Sequence, residues 1–185
     1  MNLIFRELAC YILGAIPFSV ILSRLILKKD IREVGSKNIG TSNAYRTGGA
    51  KFAFLIALLD IAKGVIAVKL LIPGSSLGIF MVALGQMFPI FLNFKGGKGV
   101  GVYIGALIGL DYTLGLIIMF SWLLITKIFN EPFISSLLVL IASFFISNND
   151  FYKLLTILII IIKHKDNIIG FVTSFNKNKK KNNNK

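Results

Sequence analysis

The sequence predicts an all-α integral membrane protein of about seven short transmembrane helices, with its N-terminus outside and its C-terminus cytoplasmic. Two observations lead there. Of 185 residues, 55% are hydrophobic and 16% charged, too few polar residues to cover a soluble domain, which averages about 25% charged. Apolar runs at 8–27, 52–72 and 77–94 also come near the roughly 20 residues with which a helix crosses a bilayer.

The first run carries Pro17, a single Arg6 and no A-x-A-like site, so it reads as a retained anchor rather than a cleaved signal. The polar stretch that follows, 28–49, is rich in Gly, Ser, Thr and Asn and suits an ordered loop. Arg24, Lys28, Lys29, Arg32, Lys37, Arg46 and Lys51 surround it, which places it in the cytoplasm. The second run leads outward to the turn at 73–76, and the third returns to Lys95–Gly99.

Residues 100–129 fit one long helix or two short ones. The basic tail decides. Lys163, Lys165, Lys177, Lys179, Lys180, Lys181 and Lys185 belong inside, and only a break at Asp111 gives the odd number of crossings this needs. Turns are then expected at Asn130–Pro132 and Asn148–Asp150. Helices at about 99–110 and 151–162 are short for a bilayer, so local thinning is expected around them. The domain organisation is a single polytopic unit, 1–170, and a disordered, Asn/Lys-rich cytoplasmic tail, 171–185.

A net charge of +13 raises the question of nucleic acid, but the basic residues lie beside apolar runs, where they set topology and attract anionic lipid. Membrane lipid is therefore the expected partner, not nucleic acid. Cys10 is the only cysteine and His164 the only histidine. An internal disulfide and a multi-histidine metal site are thereby excluded, and no cofactor is expected. Gly97, Gly101, Gly105 and Gly109 recur every four residues, a spacing that lets helix backbones approach closely in lipid.

Chemistry is expected at two loops. In Gly35–Asn43, glycines allow N–H groups to converge on an anion. Ser36, Thr41 and Ser42 add hydroxyls, Asn38 and Asn43 add amides, and Arg46 offers a planar fork for phosphate. The same composition also suits a solvated turn. The second loop, Phe94-Lys95-Gly96-Gly97-Lys98-Gly99, precedes a helix, and a Gly-rich turn there is a phosphate seat. It is not a P-loop: no Gly lies five residues before Gly97 and no Ser or Thr follows Lys98.

Asp60 and Lys63, three apart inside an apolar run, read as a structural ion pair beneath the site. His164 and Asn167 share a helix face at the cytoplasmic end of the last helix, and Ser135 and Ser136 reach the same side. An anion carrier is the rival class, although carriers place their binding groups near the midplane on repeats, and no inverted repeat is evident.

Taken in order, these segments resemble the acyl-phosphate:glycerol-3-phosphate acyltransferase family, the PlsY type. The resemblance runs through Gly14-Ala15-Ile16-Pro17-Phe18, then Asp30 to Asn43 with Arg46, then Leu59-Asp60-Ile61-Ala62-Lys63-Gly64. It continues through Phe88-Pro89 and Phe94 to Val100, and closes with His164-x-x-Asn167. It implies seven helices, no cofactor, and transfer of a fatty acyl group from acyl phosphate to the 1-hydroxyl of glycerol 3-phosphate. Lysophosphatidic acid and phosphate would be the products, made at the cytoplasmic face of the cell membrane.

On this resemblance, Ser36, Arg46, Lys98, His164 and Asn167 are the expected catalytic residues. Ser36, Asn38, Thr41, Asn43, Arg46, Lys95, Gly96, Gly97, Lys98 and Ser135 are the expected phosphate ligands. The chain departs from the family pattern at Gln86, where His is usual, at Gly101-Val102, where Ala-Thr is usual, and at Lys165, where Arg is usual. The later Arg and acidic residue of the closing motif are missing. A non-catalytic family member is the lesser alternative, with Gln86 as its main support.

Overall fold

The computed structural model describes residues 2–146 and 150–183, with side chains as far as Ser174. Among the described residues all regular structure is helical. The first apolar run forms α1 (Leu3–Ala15) and α2 (Phe18–Ile26). They part at Pro17, which has no N–H to continue the ladder. Next comes α3 (Thr41–Ile66), broken at Gly49, whose φ of 76° only glycine adopts without strain. The break separates a short head, 41–48, from the long rod that follows. A π-helical turn, Ala67–Leu71, ends that rod.

α4 (Ser76–Met87) is followed by a 3₁₀ turn at Ile90–Leu92 and then by α5 (Val100–Leu110). The predicted break is present: α5 stops at Leu110, and the Asp111 carboxylate accepts from Leu114 N–H at 3.0 Å to start α6 (Tyr112–Phe129). α7 (Pro132–Ile146) and α8 (Phe151–Lys163) complete the apolar set. Asp150 caps α8 and accepts from Ser76 Oγ at 2.5 Å, joining α8 to α4. Of the turn predicted at 148–150, Asn148 and Asn149 lie outside the described residues.

α9 (Lys165–Asn183) differs from the sequence expectation, which has the chain disordered from 171. Ile168, Ile169, Phe171 and Val172 give its first turns an apolar side, and Phe171 packs edge-on against Phe133 of α7, centroids 5.5 Å apart. The lysines beyond Ser174 have no described side chains.

Packing is set by small residues. α3 lies along α5, α1 along α4, and α6 against both α5 and α7. A Cβ at Gly105 would run into the Ile61 backbone, one at Gly64 into Val102 and Gly105, and one at Gly14 into Val82. Gly101, Gly105 and Gly109 all face α3, so the predicted small-residue stripe is a packing stripe, while Gly97 stands outside it against Ile39. Backbone-to-backbone approach of this kind is the way helices associate where lipid offers no hydrophobic drive.

The surface is inverted relative to a soluble protein. Phe54, Leu70, Phe120, Ile128, Phe145 and Phe151 are among many large apolar side chains on the outside, while Ser135, Ser143, Asp60, Lys63 and Gln86 are buried. Among the described residues, two stretches, Leu3–Ile26 and Tyr112–Phe129, are long and apolar enough to cross a membrane by themselves. Exposed apolar area on this scale needs a nonaqueous neighbour.

Candidate active site

Beneath the site is a buried polar clamp. Asp60 and Lys63 sit one turn apart on α3 with Nζ 3.4 Å from Oδ1, the pairing expected from the sequence. Lys63 Nζ also donates to the carbonyls of Ile16 (2.6 Å) and Gly14 (3.4 Å), where the chain breaks between α1 and α2. It lies 5.0 Å above the Phe18 ring. Gln86 of α4 closes the group: Oε1 accepts from Lys63 Nζ at 2.8 Å, and Nε2 reaches both Asp60 oxygens at 3.3 Å. Every charge here has a partner of the opposite kind.

The first loop is shaped by two residues. Asp30 grips Arg32 through both its oxygens, with Nη2 at 2.7 Å, and takes Arg24 Nη2 at 2.6 Å. The Arg32 bonds hold the Asp30 carboxyl well below the usual carboxylate range, and Arg24 adds to this. Asn43 is buried, and its side chain faces the loop itself. Oδ1 accepts from Ser36 N–H at 2.8 Å, while Nδ2 donates to the carbonyls of Ile31 and Val34, both at 3.0 Å. Where the sequence predicts a phosphate ligand, the structure makes Asn43 the pin that folds the loop. Ser36, held through its N–H, keeps its side chain exposed, as does Arg46 on the head of α3. Thr41 is the first residue of that head.

The second loop lies directly on the first. Gly97 is buried against Ile39 and Asn38, and its N–H donates to the Gln86 carbonyl at 3.0 Å. Gly99, at φ 82°, turns the chain into α5, whose first-turn N–H groups lack intrahelical acceptors. Lys98 Nζ donates to Asn167 Oδ1 of α9. Burial pushes the Lys98 ammonium down from its ordinary pKa; nearby Asp166 opposes this and Arg46 reinforces it. His164 occupies the junction of α8 and α9, 2% exposed. Its Nδ1 lies 2.8 Å from the Ile160 carbonyl oxygen. That oxygen can only accept, so Nδ1 carries the hydrogen and Nε2 is left as the free ring nitrogen. Burial lowers the His164 pKa, the Ile160 bond opposes this, and the Lys98 charge lowers it further.

Lys98 and Asn167 therefore meet, with Arg46 and His164 near enough to exchange charge effects with Lys98, and Asn38 and Gly97 connect the two loops beside them. An open cavity of about 620 Å³ adjoins this cluster. Its cations are Arg32, Lys37, Lys95 and Lys163, and Phe91 and Phe94 form an exposed apolar rim. Ser135 is not brought to the loops by any contact. It is fully buried between α6 and α7, where Thr126 Oγ1 donates to it at 2.9 Å and it returns to the Glu131 carbonyl. Hydroxyls inside helices commonly bond back one turn in this way.

A model of the glycerol-3-phosphate acyltransferase family matches residues 4–174. The chain belongs to that family. Among curated members, the glycerol-3-phosphate acyltransferase of Pelagibacter ubique (strain HTCC1062) is 37% identical over 177 residues, 91% of this chain and 93% of that protein. The one from Wolbachia pipientis subsp. Culex pipiens (strain wPip) is 42% identical over 170 residues, 85% of this chain and 88% of that protein. The fold matches the crystal structure of PlsY (YgiH), an integral membrane glycerol 3-phosphate acyltransferase, in its glycerol 3-phosphate form. There the TM-score is 0.83 at 30% identity, covering 93% of this chain and 92% of that one. The lysophosphatidic acid form gives 0.80 at 29%.

Within this acyltransferase, sequence reasoning missed three contributors: the Asp30 clamp, the Gln86 bridge and the loop-folding task of Asn43. A signal existed for the first two. Asp30 is an acidic residue among seven cations, and Gln86 is an uncharged polar residue inside an apolar run.

Proposed function

We propose that the chain transfers a fatty acyl group from acyl phosphate to the 1-hydroxyl of glycerol 3-phosphate, giving lysophosphatidic acid and inorganic phosphate. The observation that carries this reading is the meeting of two Gly-rich cationic loops, Gly97 on Asn38 and Ile39, with Lys98 tied to Asn167. A reaction between two phosphorylated substrates needs two anion cradles facing one point.

In this reading Ser36, Asn38, Thr41 and Arg46 serve one phosphate, and Lys95, Gly96, Gly97 and Lys98 the other. Ser135 joins them only if α6 and α7 shift on binding. Asn167 orients the hydroxyl beside His164. The hydroxyl oxygen attacks the acyl carbonyl carbon, and the bond from that carbon to the phosphate oxygen breaks. Phosphate leaves with the electron pair and a phosphate oxygen takes up the hydroxyl proton. The acyl group is already activated, so orientation and charge stabilisation supply the rate, without a covalent enzyme intermediate.

The proposed setting is the cell membrane, crossed seven times, with α1 and α2 together forming the first pass. The N-terminus is outside, both loops and the C-terminus are cytoplasmic, and α9 lies along the inner surface. The distribution of Lys and Arg supports this orientation. Purified protein given acyl phosphate and glycerol 3-phosphate should release lysophosphatidic acid. Vesicle uptake of glycerol 3-phosphate without product would instead identify a carrier. For orientation, Lys37→Cys and Lys95→Cys should label from the same cytoplasmic side, since the native Cys10 is buried. Labelling from opposite sides would end the shared-site reading.

A further inference from the structure

We propose that Gln86 is a positioning residue for the Lys95–Gly99 turn, fixing the second phosphate cradle on the buried Asp60–Lys63 pair. The proposal rests on the acyltransferase reading above for what the turn binds. Gln86 touches both structures at once. Its side chain lies between Lys63 Nζ (2.8 Å) and the Asp60 carboxylate (3.3 Å), and its own carbonyl takes the Gly97 N–H at 3.0 Å. Gly97 is in turn the residue on which Asn38 and Ile39 of the first loop rest. A Cβ at Gly96 would meet the Gln86 carbonyl, so the turn lies flush on this residue with no slack. Gln86 is 5% exposed and has no open side toward a substrate, so its influence passes through the turn.

The chemistry of the position is restrictive. Lys63 can only donate and the Asp60 carboxylate can only accept. A group bridging them must accept at one atom and donate at another, which a primary amide does with a single orientation. A carboxylate at 86 would repel Asp60, and an ammonium would repel Lys63. A neutral imidazole, with one N–H and one bare nitrogen, fits the same two partners, so His is the conservative replacement here. An apolar side chain of similar size fits the space and holds neither partner.

Steady-state kinetics of the full chain in detergent, with inorganic phosphate as competing probe, tests this. In Gln86→Leu the carbonyl that takes the Gly97 N–H remains, but the side-chain hold on Lys63 and Asp60 that fixes its position is lost. The apparent KM for glycerol 3-phosphate and the Ki of inorganic phosphate should each rise about tenfold while kcat changes by less than about threefold, the pattern of lost uniform binding. Gln86→His should return both constants to near wild type. Lys98→Ala is measured alongside. If Lys98→Ala loses phosphate affinity while Gln86→Leu keeps wild-type constants, the positioning role is overturned and the cradle stands. If Lys98→Ala is itself unaffected, the cradle reading has failed instead. Should Gln86→Leu not fold, Gln86→Asn decides. It keeps the amide but is one methylene short of spanning both partners, and wild-type KM and Ki in that variant would overturn the proposal.

Discussion

Two charged regions lie one above the other in this protein, and they are built on opposite terms. In the clamp formed by Asp60, Lys63 and Gln86, every donor meets an acceptor and nothing faces outward. In the cluster above it, Arg46, Lys98, Lys95, Lys37 and Lys163 outnumber the nearby carboxylates Asp166 and Glu33, while the Asp30 charge is taken up by Arg24 and Arg32. The first region is balanced and holds the helices together. The second carries positive charge in excess, which is how a protein waits for an anion. Charge balance, more than burial or helix position, separates scaffold from site here.

The comparison is broken most sharply by removing cations from each region. Arg46→Ala or Lys98→Ala should lower acyl transfer by about 100-fold or more, as loss of a preorganised charge at a reacting group does, with thermal stability in detergent unchanged. Lys63→Met should do the reverse. It strands a buried carboxylate at a cost of about 3–5 kcal/mol, read as a lower melting temperature. The kcat per folded molecule should persist, with the change in activity confined to a higher KM because Gln86 loses its Lys63 partner. Adding Asp60→Asn to Lys63→Met should recover most of that stability, because no unpaired charge then remains.

Asn43→Ala tests the boundary between the two classes. Leaving the Ser36 N–H and two carbonyls without partners should cost about 1–3 kcal/mol and raise the KM for glycerol 3-phosphate, since the loop that carries Ser36 loses its pin. A fall in kcat at unchanged KM and stability would instead mark Asn43 as a substrate contact.

The smallest effect concerns His164, whose pKa is held below the ordinary 6.5, chiefly by burial. Its imidazole is neutral in the folded protein when the unfolded chain already takes up a proton. The stability it contributes is therefore full above pH 6.5 and is lost as pH falls below that value. Melting curves of His164→Gln should show a weaker acid dependence than those of the wild-type chain.

Much of this was legible beforehand, for identifiable reasons. The helix boundaries followed from apolar runs and from basic residues flanking them, and the break at Asp111 followed from the parity those residues demand. The Asp60–Lys63 pair could be read because its members lie three apart on one helix. Gln86 could not be joined to them, since 23 residues separate it from Lys63 and only tertiary packing of α4 on α3 brings them together. The loop-folding task of Asn43 was hidden for a related reason. An amide in a Gly- and Ser-rich loop is equally able to serve a phosphate or the loop's own backbone, and only the fold shows that it holds the backbone. Ser135 illustrates the limit of face assignment: α7 starts at Pro132, yet Ser135 and Ser136 take their bonds from α6. The tail past 171 was assigned by composition, which overlooks the apolar turn that seats Phe171 on Phe133.

Phe91 and Phe94, more than half exposed beside the cationic cavity, have a kinetic consequence. A long-chain substrate that meets the site across these rings never leaves the hydrocarbon phase, so its search is two-dimensional. Velocity should then track the mole fraction of the proposed acyl phosphate donor within a micelle or bilayer, and diluting it with inert detergent should slow turnover even at constant bulk concentration.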